Sequence, residues 1–267
     1  MDLQLIDPVP AVLEEVRRLT GKGIEFIQKA DLPTFAALRM ARKNMPSHIM
    51  FYKKEHDEII NHLVVHECGH LLRTFRCPEN QRLIPYSDPG IKHAALKEIE
   101  NEIAGLARIL PEDQTAHIVE LWYSGLIRQL TNFPPDIMIE KWIYDRFPLL
   151  RALQLASIKK QHAEAVSGLT ESVRKITPYA ILFASNVMNY AFFRILGLHI
   201  GQNFTRPYSS TIYIGKGKEL AAMTEKEHAD SHEGDNIMIG KWASFLNIPD
   251  WFKWRGFEDV PNDYGKM

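Results

Sequence analysis

The chain has 267 residues, 45% of them apolar and 24% charged, with a formal net charge of −1 and a pI near 6.8. Those proportions suit a globular protein with one large domain, or one domain plus an appendage. The near-neutral balance excludes a global positive field of the kind that recruits nucleic acid or anionic membranes, so neither partner is expected. Cys68 and Cys77 are too few for a disulfide framework, and no basic and then apolar leader opens the sequence, so a reducing cytoplasm is expected.

In chain order, "PAVLEEVRRLTGKG" predicts a helix closed by glycine. "IEFIQK" from Ile24 and "SHIMFYKK" from Ser47 are short β-prone runs, the second followed by the polar turn "KKEHDE". A helix is predicted from about Ile59 to Phe75, then a loop, "RCPENQRLIPYSDPG". Five helical blocks follow, divided by Pro111, Pro134, Pro135, Pro148 and Pro178, each placed where a helix should start or stop. The last block, from Tyr179, has the length of a bilayer span. Ser185, Asn186, Asn189 and Arg194 interrupt it, so a buried core helix is expected and no membrane span. From Gly201 the segments become shorter and mixed. The expected fold class is α+β, predominantly α: a body over residues 1–200 and a C-terminal appendage over 201–267 packed on it.

The informative stretch is "INHLVVHECGHLLR", residues 60–73, which contains the H-E-x-x-H string His66-Glu67-Cys68-Gly69-His70. At about 100° per residue, His66 and His70 fall on one helix face a turn apart, so both imidazoles can reach one ion. Glu67 borders that face, while Val64, Val65, Cys68, Leu71 and Leu72 form an apolar back. Gly69 costs a mid-helix position about 1 kcal/mol relative to alanine, which predicts a close neighbour there. His62 extends the histidine face by a turn and is expected near the site mouth.

"SHIMFYKKEHDEIINHLVVHECGHLLR" resembles the core of zincin-type metallopeptidases, and its H-E-x-G-H form is similar to that of the ImmA/IrrE group. The resemblance covers about thirty residues. It implies a zincin-like core with a small N-terminal sheet and an active-site helix, followed by a helical bundle. It also implies a Zn2+ site held by His66 and His70, with Glu67 as general base toward a zinc-activated water. The strand "HIMFY" would be an edge that pairs with an extended peptide or protein substrate.

A catalytic zinc keeps three protein ligands and an open position. A third histidine at metzincin spacing would fall on Arg76, which excludes that class, and no cysteine motif of the deformylase kind occurs. A downstream carboxylate in the gluzincin manner remains, with two candidates. Glu140 in "FPPDIMIEKWIYDRF" sits in the middle of an apolar helix face, where a buried carboxylate must be paired, protonated or bound to a cation. An arginine, Arg146, Arg151 or Arg73, is the bland alternative partner. Glu102, or Glu100, in "KEIENEIAGLARILP" resembles the E-x-x-x-F-A…P pattern of the ImmA/IrrE group, with Leu106 and Ala107 in the F-A slots. Asp136 is read as a helix cap that can also orient a ligand.

Oxyanion helpers are sought among Tyr86, His117, Tyr144 and Arg73. "EKEHADSHEGD" reads as a solvated loop or helix end, and "PDWFKWRGF" as an aromatic clasp onto the body. The expected function is therefore zinc-dependent peptide hydrolysis. The rival from another class is a zincin-like binding or regulatory module that does not cleave.

Overall fold

The computed structural model describes residues 3–261. Helix α1 (Val9–Thr20) ends where Gly21 adopts φ 71°, and strand β1 (Ile24–Gln28) follows. Strands β2 (Ala36–Arg39) and β3 (His48–Tyr52) complete a three-stranded sheet in the order β1-β3-β2, with β1 parallel and β2 antiparallel to β3. The polar turn after β3 is a 3-10 segment, Lys54–Ile59, that leads into α2 (Ile60–Arg76). Strand β4 (Leu83–Tyr86) lies in the stretch read as loop. It pairs antiparallel with a strand near the C-terminal end of the described residues.

The helical part begins with α3 (Pro89–Glu98) and α4 (Glu100–Leu106), separated at Ile99, and then α5 (Glu112–Arg146). The predicted break at Pro134-Pro135 does not occur. Each interior proline removes a helical hydrogen bond at a cost of roughly 3 kcal/mol, leaving the carbonyls of Leu130 and Thr131 without their usual donors. Burial outweighs that loss. Leu126, Leu130, Phe133 and Ile137 lie in one apolar cluster, and Ile139 and Ile143, on the same helix, in another. Asp136 is therefore a mid-helix residue, and its predicted role as a cap falls away.

Helices α6 (Arg151–Ser167), α7 (Glu171–Ile176) and α8 (Tyr179–Ile200) continue the chain, followed by α9 (Ile214–Glu227), α10 (His232–Phe245) and β5 (Lys253–Gly256), the partner of β4. The chain is thus α+β and mostly helical. Among the described residues α8 alone is long and apolar enough to cross a membrane, and 78% of its apolar window is buried inside the protein. It is a core helix. Residues 201–261 supply Leu220, Ala221, Met238, Ile239, Trp242, Trp251 and Phe252 to the apolar cluster that α8 and α5 share. The expected aromatic clasp is seated there, with Trp251 1% exposed and its indole N–H donating to Glu98 Oε2 at 2.9 Å.

The sheet corrects one expectation. "HIMFY" is β3, the central strand, paired on both sides and closed to any added strand. It is the most β-prone run of the three, so the fold places it where both edges are satisfied. The edges are β1 and β2, and the "AALR" of β2 is weakly β-prone and gave no strand signal.

His48 opens β3 and ties the sheet to α1. Its Nδ1 accepts from the Ala41 N–H at 2.9 Å, and Nε2 lies 3.0 Å from Thr20 Oγ1. Burial, and then the charge of Lys22, push its pKa down to about 4. The folded pKa lies below the unfolded value of about 6.5, so the unfolded chain binds the extra proton. Stability from this group is complete above pH 6.5 and is lost as the pH falls toward 4. Urea midpoints at pH 7 and pH 4.5 should fall more steeply for wild type than for His48→Gln. Equal declines would remove His48 as the cause.

Candidate metal centre

Helices α2 and α5 cross at Gly69. A Cβ built there would lie 2.7 Å from Ile139 Cγ2, closer than real Cβ contacts come. This is the close neighbour that the mid-helix glycine predicted. Ile139 sits between Asp136 and Glu140, so the close crossing carries both carboxylates to the histidine face of α2. The apolar back of α2 is buried as expected, with Val64, Val65, Cys68 and Leu71 all at 0% exposure and Leu72 at 2%.

Three histidines and two carboxylates meet across that crossing. His66 Nδ1 lies 2.8 Å from Glu140 Oε1, and His66 Nε2 lies 3.4 Å from Asp136 Oδ1. His70 Nε2 is 3.1 Å from the same Asp136 oxygen. His62 Nε2 is 3.1 Å from each oxygen of Glu140. Two sets of side chains therefore have ligand atoms close enough to hold an ion: His66, His70 and Asp136, and His62, His66 and Glu140. His66 belongs to both.

The hydrogen bonds distinguish the two sets. With Nδ1 of His66 donating to Glu140, the neutral ring would present the Nε2 lone pair toward Asp136. Asp136 Oδ1 is itself buried with no hydrogen-bond donor directed at it. In that tautomer two acceptors face each other, an arrangement that calls for a cation or a proton between them. Burial alone would lower the His66 pKa, yet the carboxylates of Asp136 and Glu140 overcome it and hold the imidazole well above its ordinary range. Burial would likewise raise Asp136, and His66 and His70 reverse this and hold it below the usual carboxylate range. Glu140 is also held low, its burial outweighed by His62 and His66.

Glu67 borders the same cleft, and burial raises its pKa against the opposing pull of His70 and His66. The cleft encloses about 870 Å³. One wall is Phe35 and the edge strand β2 through Ala36, Ala37 and Leu38. The opposite wall is α5, through Ile127, Thr131 and Asn132.

Other sequence-predicted residues lie elsewhere. Glu102 accepts from the Ala180 N–H at the start of α8, and Glu100 is exposed. Neither belongs to the histidine groups. His62 is 2% exposed and lines the cleft from within, the reverse of a mouth position. No arginine takes Glu140: Arg151 Nε donates to the Tyr144 carbonyl, and Arg73 is held by Asp235 and Asp230. Of the four proposed oxyanion helpers only Tyr86 borders the cleft. "EKEHADSHEGD" is the end of α9, a mostly exposed loop and the start of α10, as expected, but within it the His228 and Asp235 side chains are 2% and 4% exposed and bond each other beside Arg73. Arg73 lies one turn beyond the motif, and only the fold shows that its charge is met there.

Sequence reasoning missed Asp136 as a member of a possible ligand group with His66 and His70. Its spacing of four from Glu140, which puts both on one helix face, was the available signal, and Pro134-Pro135 obscured it by suggesting a helix start. Comparison with protein-family models, curated proteins and solved structures found no match.

The crossing makes a testable demand. Gly69→Ala should lower stability by about 1–3 kcal/mol, as overpacking does. Combined with Ile139→Ala, which opens the facing space, its cost should shrink. Strictly additive losses in urea denaturation of the two single variants and the double would show that the Gly69–Ile139 contact does not set the helix approach.

Proposed function

We propose that the chain is a zinc-dependent peptidase of the zincin type, in which His66, His70 and Asp136 hold the ion and Glu67 is the general base. The observation that carries this reading is the buried, donor-less Asp136 Oδ1 facing the lone pair of His66 Nε2 beside His70. A tetrahedral zinc with bonds of about 2.0–2.1 Å separates its ligand atoms by roughly 3.3 Å. The 3.1 and 3.4 Å separations around Asp136 match that edge, and the neutral-imidazole and carboxylate donor set suits zinc.

In this reading Asp136, and not Glu140 or Glu102, supplies the third ligand. Glu140 accepts the Nδ1 proton of His66 and fixes its tautomer, as outer carboxylates do for ligating histidines. A divalent ion at this position supplies Lewis acidity, lowering the pKa of water and polarising a carbonyl. Glu67, its pKa raised by burial, would take the proton of the attacking water and deliver it to the leaving amine. The Tyr86 hydroxyl is the expected helper for the developing oxyanion. An extended peptide would run along β2, whose free edge offers main-chain hydrogen bonds and which borders the cleft. The two free thiols, Cys68 and Cys77, support the reading of a reducing cytoplasm.

Purified protein should contain one zinc per chain. Glu67→Gln should retain the ion and lose peptide hydrolysis, whereas Asp136→Ala and His66→Ala should lose both. Cleavage by Glu67→Gln at the wild-type rate would remove the assigned base. Zinc uptake by Asp136→Ala at wild-type affinity would return the third-ligand role to another carboxylate.

A further inference from the structure

The geometry points to His62 and Gln154 as positioning residues for the metal centre, acting through Glu140 on His66. The inference rests on the reading of His66 as a ligand, and it concerns side chains that never touch the ion. Glu140 is 4% exposed, Gln154 1% and His62 2%. Between them the donors occupy both carboxylate oxygens. Oε1 faces His66 Nδ1 at 2.8 Å and His62 Nε2 at 3.1 Å. Oε2 accepts from Gln154 Nε2 at 2.6 Å and faces His62 Nε2, again at 3.1 Å. Gln154 also donates to the main-chain carbonyl of Glu140 at 2.7 Å, so one side chain from α6 grips both ends of the residue.

Among the described residues Glu140 is the one polar partner of His62, reached at both carboxylate oxygens. To donate to Glu140 it carries its proton on Nε2, which leaves Nδ1 bare, and Nδ1 is buried without a partner. An unsatisfied buried nitrogen is costly, and a leucine would fill the space without it. Fixing the Glu140 carboxylate accounts for a histidine here: with three donors around it the group cannot rotate, and the imidazole plane of His66 is set in turn.

A second ion held by His62, His66 and Glu140 is the competing account of the same cluster. It would require His66 to give up both ring protons. It would also place a cation against the Gln154 N–H group that now points at Glu140 Oε2.

The test is zinc affinity by chelator competition on the full chain, for wild type, His62→Leu, His62→Gln and Gln154→Leu. The visible spectrum of each cobalt(II)-loaded protein and the unfolding midpoint of each metal-free protein are measured beside it. His62→Leu should weaken zinc binding about 10–100-fold, the usual effect of losing an outer-shell partner, and should alter the cobalt spectrum. His62→Gln, which keeps an N–H at similar reach, should restore both. Gln154→Leu attacks the same carboxylate from another helix and should weaken zinc in the same direction, which decides the matter if His62→Leu fails to fold.

Unchanged zinc affinity in His62→Leu or Gln154→Leu overturns the positioning role, as does a His62→Gln protein no better than His62→Leu. Two ions per wild-type chain and one in His62→Leu would make His62 a ligand instead. A wild-type chain that takes up no zinc overturns the metal centre itself, and full zinc uptake without hydrolysis overturns only the peptidase reading.

Discussion

The distance between α2 and α5 at Gly69 is the constraint from which the rest of the site follows. A methyl group on that residue would sit 2.7 Å from Ile139 Cγ2, and isoleucine, branched at Cβ, has little freedom to swing aside. The residue between the two histidine turns is thus the one that must be small. The residue it accommodates lies between the two carboxylates that meet those histidines. Moving α5 outward by a side-chain radius would lengthen the contacts of Asp136 and Glu140 to His66 together, since both project from the same turn as Ile139.

That closeness has an electrostatic consequence. Asp136 and Glu140 are 6% and 4% exposed, and a buried carboxylate is tolerable only when its charge is answered. The two are answered differently. Glu140 is enclosed by donors from α2 and α6, whereas Asp136 faces imidazole nitrogens without a directed hydrogen. One carboxylate is enclosed by hydrogen-bond donors, and the other has its charge met by the imidazoles of His66 and His70. The raised His66 pKa expresses the same field, since the charges of Asp136 and Glu140 converge on one imidazole and overcome its burial. Beyond the site, Arg73 at the end of α2 meets Asp235 of α10 at 2.7 Å, which fixes the helix at its far end.

Local chemistry was legible in the sequence where one residue or one period determined it. The α2 span, its apolar back, the shared face of His66 and His70 and the need for a small Gly69 followed from helical geometry alone. So did Glu140 as a buried carboxylate in need of a partner. What was not legible depended on competition between local preference and burial. Pro134-Pro135 favours a break, and only the packing of Phe133 and Ile137 on one side and Ile139 on the other shows why α5 continues. "AALR" carries no β signal, and becomes a strand because β3 needs a second neighbour. The pairing of β4 with β5 spans about 170 residues of chain, beyond the reach of any window, and the Asp235 that bonds His228 is met by Arg73, far away in sequence.

The continuity of α5 also explains why the cleft lies where it does. Phe133 stacks on Phe192 at 4.3 Å and meets Trp242 edge-on at 6.5 Å, so the middle of α5 is built into the core formed by α8 and α10. Nearly three turns later Ile143 belongs to the core shared by α1, α2 and the sheet. Asp136 and Glu140 occupy the short stretch of helix between these attachments, with their side chains at the seam where the two cores diverge. A break at the prolines would have freed this stretch to turn independently of the α8 core. Held at both ends, the helix presents its carboxylates at a fixed angle to α2, and the space left between the diverging cores is the cleft. The double proline is therefore tolerated where the helix has least freedom to bend, which is also where its carboxylates must keep their positions.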